Sequence, residues 1–78
     1  MTSQASYILV QSTYFLQNSL HVGYGVAVVI EDGSDVTVVK TVPNISSDRI
    51  AMARFVERCN ARHLSPLHLQ DVIEDFIG

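Results

Sequence analysis

Apolar residues in the first half of the chain stand among β-formers, while from residue 48 onward they recur at three- and four-residue spacing. The first pattern reads as strand and the second as helix. "SYILVQSTYFLQ" is a first strand, interrupted or bulged near Ser12 and Thr13, and "NSLHVG" is a first turn region. "YGVAVVIE" is a second strand, "DGS" a tight turn in which Gly33 takes positive φ at no steric cost, and "DVTVVKTV" a third strand. Short links between successive strands make an antiparallel meander.

The faces of these strands are less tidy. In the second strand Tyr24, Val26, Val28 and Ile30 share one side and Ala27 and Val29 the other. In the third, Val36, Val38, Lys40 and Val42 oppose Thr37, Val39 and Thr41. A sheet with one wet face alternates more cleanly. Either something covers part of the second face, or these valines are ordinary exposed ones.

Pro43 is expected to end the sheet and "NISSD" to open a helix, with Ser46 or Ser47 as cap and Asp48 in the first turn. Met52, Phe55, Val56, Cys59 and His63, with Ile50 and Ala53 alongside, trace an amphipathic helix. Its length is about fifteen residues, roughly 22 Å, and it unwinds between Asn60 and Leu64. Ser65 is placed to cap a second helix with Pro66 at its first position. Leu69, Val72, Ile73 and Phe76 form its buried stripe, with Leu67 and Ile77 at the margins. The predicted fold is α+β: a three-stranded antiparallel meander followed by an αα-hairpin packed on one sheet face, βββαα, in a single domain over residues 1–78.

Composition narrows the class. At 78 residues the chain is near the lower limit for a core without staples, and a second domain is excluded. An apolar fraction of 47% with 17% charged residues excludes a disordered chain and, in so small a body, points to association. The lone Cys59 permits no internal disulfide, which fits a reducing compartment. "MTSQASYILVQ" has no basic residue ahead of its apolar run, and no segment is long enough to cross a bilayer. The expectation is a cytoplasmic protein with no membrane partner.

The net charge of −3 conceals a segregation. Residues 1–47 carry Glu31, Asp32, Asp35 and Lys40. Residues 48–62 hold all the arginines, Arg49, Arg54, Arg58 and Arg62, with Asp48 and Glu57. Residues 63–78 hold only Asp71, Glu74 and Asp75, placed toward the helix end where the dipole disfavours carboxylates.

"YGVAVVIEDG", "VPNISSD" and above all "RFVERCNARHLSPLHLQDVIEDFIG" resemble a family of short, uncharacterised proteins from Firmicutes catalogued as a domain of unknown function. The likeness covers residues 24–77, and the cysteine–asparagine pair followed by "LSPLHLQDVIEDFI" is its most specific part. It implies no activity, cofactor or site residue.

Four chemistries compete with bland readings. Cys59, His63 and His68 form a C-x3-H-x4-H arrangement able to reach a metal, with Asp71 as a further ligand, but the spacing is no standard finger. A free cysteine in an apolar stripe usually packs as a small hydrophobe. A thiol enzyme would use Cys59 with His63 or His21 as base, yet Cys59 falls late in its helix and the chain is small to enclose a substrate. "HVGYGVAV" has two glycines but matches no phosphate-loop spacing, so a turn explains them better. No cofactor is therefore expected, and a Cys/His metal-binding or thiol-dependent protein stands as the alternative to a non-enzymatic one. Arg54, Arg58 and Arg62 make a basic ridge that suits phosphates, but the acidic total and the lack of interleaved aromatic or amide residues argue against nucleic acid. A protein partner fits better: Arg54, Arg58, Arg62, Asp71, Glu74 and Asp75 are candidate contacts, either across the helical hairpin or with another molecule, including a homodimer mate. Pairs on a solvated surface would contribute at most about 1 kcal/mol each.

Overall fold

The computed structural model describes residues 4–78; the amino-terminal reading at residues 1–3 lies outside the described residues. Strands β1 (Gln4–Leu16), β2 (Ser19–Asp32) and β3 (Asp35–Ser46) form an antiparallel sheet in the order β1-β2-β3. Helix α1 (Arg49–Ala61), a short 3₁₀ turn (Pro66–His68) and helix α2 (Leu69–Ile77) follow, so the fold is α+β with βββαα order.

The first hairpin corrects the expected boundaries. β1 is unbroken through Ser12 and Thr13, in register with β2 from the Gln4–Glu31 pair to the Leu16–Ser19 pair. The turn is Gln17 and Asn18, both at positive φ (52° and 65°), a two-residue loop whose twist matches the flanking strands. Most of "NSLHVG" is therefore strand. Gly33, at φ 67°, opens the second tight turn as expected.

β3 departs from regular pairing twice. Val28 pairs with Lys40 but Val29 with Val38, so Val39 is an extra residue and the faces of β3 switch there. Val36, Val38 and Thr41 share the side of Ala27 and Val29, while Lys40 and Val42 share the side of Val26 and Val28. That switch explains the untidy alternation. Pro43 does not end the sheet: the strand bulges through Pro43, Asn44 and Ile45, with Asn44 at φ 56°, and pairs again at Ser46 with Tyr24. Proline is tolerated because β3 is an edge strand. Gly23 and Gly25 belong to the strand opposite this bulge, not to a turn. A Cβ on Gly25 would stand 2.0 Å from the Val42 carbonyl oxygen.

The helices cover one face. Tyr7, Val26 and Val28 from the sheet meet Met52, Phe55, Val56 and Cys59 of α1 and Leu69 and Ile73 of α2 in one core. Asp48 caps α1, accepting from the Ala51 N–H at 3.1 Å, and Ser46 supports it by accepting from the Asp48 N–H at 3.0 Å. The helix closes within the expected stretch from Asn60 to Leu64: His63 takes φ 50°, its N–H donates to the Asn60 carbonyl (3.2 Å) and the Leu64 N–H donates to the Cys59 carbonyl (3.0 Å). Ser65 caps the 3₁₀ turn, not α2 itself. No helix among the described residues is long and apolar enough to cross a membrane.

Candidate functional site

The facing sides of α1 and α2 leave a cleft of about 350 Å³. Its floor is apolar, from Phe55, Cys59, Leu64, Val72 and Phe76, and Phe55 meets Phe76 edge-on with ring centroids 5.2 Å apart. Arg58, Arg62 and Asp75 stand on its lining. Arg58 stands in the last turn of α1 and Arg62 at its C-cap, four residues on, and the short link turns α2 back so that Asp75 lines the same cleft. Arg54, Asp71 and Glu74 are exposed and do not line it. Asp71 sits in the first turn of α2, the end that favours a carboxylate, so only Glu74 and Asp75 occupy the unfavourable end.

The thiol and the imidazoles are not brought together. Cys59 is 4% exposed, and burial pushes its thiol above the ordinary value against the opposing pull of Arg58 and Arg62. That is the environment of an inert packed thiol. His63 has left the helix, His68 is exposed on the 3₁₀ turn, and His21 stacks on Tyr14 at 5.4 Å out on the first hairpin. Among the described residues no three His, Cys, Asp or Glu side chains are grouped to hold a metal ion.

Sequence reasoning passed over the residue with the most specific long-range role. The Tyr7 N–H donates to Asn60 Oδ1 and Asn60 Nδ2 donates to the Tyr7 carbonyl, each at 2.8 Å. The last turn of α1 is thus joined to the outer edge of β1. The Tyr7 hydroxyl donates to the Leu64 carbonyl, fastening the same strand to the interhelical link. Burial first, and Cys59 second, push the Tyr7 phenol above its ordinary value. The available signal was the Cys59–Asn60 pair, with an amide on the sheet-facing side of a helix end.

Large apolar side chains remain outside the core. On the sheet face away from the helices, Ala27 and Val29 of the central strand are buried outside the core cluster, while Ile8, Val36 and Val38 are 44%, 62% and 57% exposed. Beyond the helices, Tyr14, Phe15, Leu16 and Leu20 stand on the projecting part of the first hairpin.

No curated protein and no solved structure matches the chain. The model of a family of unknown function, DUF6514, matches residues 1–78, reaching past the 24–77 stretch that carried the resemblance. With its whole length matched, the chain belongs to the family of unknown function DUF6514.

Proposed function

We propose that this protein is a small, non-enzymatic interaction or regulatory module of the cytoplasm that works as a self-associated unit, a homodimer in the simplest case. One observation carries the reading: the chain's own two helices leave the second sheet face and the end of the first hairpin with a large exposed apolar surface. Sedimentation equilibrium at micromolar concentration tests it. A concentration-dependent dimer is expected, and a strict monomer overturns the proposal.

A second reading belongs to the α1–α2 cleft, favoured by the gathering of Arg58 and Arg62 over an apolar floor. The complementary occupant is a partner segment that offers an apolar side chain to the floor and a carboxylate to the arginines. Arg54, outside the cleft on α1, and Asp71, Glu74 and Asp75 along α2, would meet the flanks of that partner. Crosslinking in cells should recover a protein with the wild type and lose it with an Arg58→Glu, Arg62→Glu double variant; a variant removing the three α2 carboxylates reports on the flanks. Recovery indifferent to both arginines overturns this reading. Nucleic acid fits less well, since one acidic side chain already stands in the arginine-lined cleft. No binding is expected even at low salt, where phosphate contacts are strongest.

A further inference from the structure

β3 makes its last pair with β2 at Tyr24, so residues 12–23 continue as a two-stranded arm to the turn at Gln17 and Asn18. Such a ribbon is marginal in water by itself. This one exposes Phe15 at 76%, Leu20 at 61% and Leu16 at 56%, and it bears no Asp, Glu, Lys or Arg, since the first such residue in the chain is Glu31.

Sheet edges are normally guarded against pairing by charge, proline, bulges or cover. β3 has Lys40, Pro43 and two register shifts. β1 is guarded at Tyr7, where the outward backbone groups are held by Asn60. Alternation along an antiparallel strand turns the N–H and C=O of Leu9, Gln11, Thr13 and Phe15 to that same outer side. Among the described residues this stretch has no such guard.

The side chains along it are self-complementary. Residues 8–16, "ILVQSTYFL", run three apolar, three polar, three apolar, a pattern symmetric about Ser12. We infer that the outer edge of β1 pairs antiparallel with the same edge of a second copy, about a two-fold axis at Ser12, joining two sheets into one of six strands. The inference rests on the self-association proposed above and names where it occurs. In this register Ile8 opposes the partner's Leu16, Leu9 the partner's Phe15, Val10 the partner's Tyr14 and Gln11 the partner's Thr13. All four outward-facing residues of each strand are then paired, and the pairing stops at Tyr7, where Asn60 already occupies the edge. Centring on Thr13 instead would set Gln11 against the partner's Phe15 and Leu9 against the partner's Gln17.

Ser12→Cys tests the axis, because directly opposed residues that do not exchange hydrogen bonds lie about 4.5 Å apart at Cα, within disulfide reach. The native Cys59 is buried and does not compete. Mild oxidation should convert Ser12→Cys to a covalent dimer, with Thr37→Cys on β3 remaining uncrosslinked. Thr13→Pro removes one outward N–H without touching the β1–β2 ladder; it should retain the wild-type circular dichroism and weaken dimerisation at least tenfold. A wild-type dimer in which Ser12→Cys stays monomeric on a non-reducing gel overturns this inference and leaves self-association standing. Crosslinking at Thr13→Cys in place of Ser12→Cys overturns the register, and a wild-type monomer overturns both proposals.

Discussion

Asn60 commits both ends of its amide to one residue of another element, although its side chain reaches solvent. Asn60→Ala leaves the Tyr7 N–H and C=O without protein partners, and the expected cost is about 1–3 kcal/mol, read as a lower urea midpoint at unchanged slope. Asn60→Asp should not rescue it, because a carboxylate repels the Tyr7 carbonyl. Cys59 and Tyr7 make a prediction in pH. Both groups have raised values in the fold, so each binds its proton more tightly folded than unfolded. Their contribution is fully present below the ordinary thiol range and is lost as pH rises through the folded values. Urea midpoints should therefore be flat across neutral pH and fall in the alkaline range. Thiol labelling of Cys59 should be slow in buffer and fast in denaturant. Rapid labelling of the folded protein at neutral pH would contradict the inert assignment.

Among the elements, the bulge of β3 and the glycines of β2 form one device. Gly25→Ala would drive a Cβ against the Val42 carbonyl and within 2.8 Å of the Pro43 Cα, backbone atoms that cannot rotate away. Gly23→Ala meets mainly the Asn44 side chain, which can. The expected losses are about 2–3 kcal/mol for Gly25→Ala and about 1 kcal/mol for Gly23→Ala, ranked by thermal melting. In α2 the two late carboxylates should separate as well. Glu74→Lys relieves the dipole conflict and should raise stability by about 0.3–0.5 kcal/mol. Asp75→Lys relieves the same conflict but places a third cation in the cleft with Arg58 and Arg62, so its melting temperature should fall below that of Glu74→Lys.

At the scale of the molecule, extents of 49 × 26 × 19 Å and a radius of gyration of 13.6 Å describe an elongated body. A compact chain of this length would have a radius of about 11.5 Å. The projecting first hairpin gives the body its length, and ordering that hairpin against a second copy would tie folding to association. The thermal midpoint should therefore rise with protein concentration across a hundredfold range, as for any state stabilised by its own partner. An invariant midpoint would count against self-association.

Element type and order were legible in the sequence, because they follow from side-chain spacing within a few residues: β-formers before residue 47, then Met52, Phe55, Val56 and Cys59, then Leu69, Val72, Ile73 and Phe76. Of the six charges followed from the sequence, Arg58, Arg62 and Asp75 line one cleft, and Arg54, Asp71 and Glu74 do not. Where elements stop and what they touch was decided only by the tertiary structure. Pro43 stays in the sheet because an edge strand can bulge over Gly25. Asn60 acquires its role from Tyr7, fifty-three residues away. Each depends on backbone groups that satisfy one another across the fold, and local spacing carries no record of those partners.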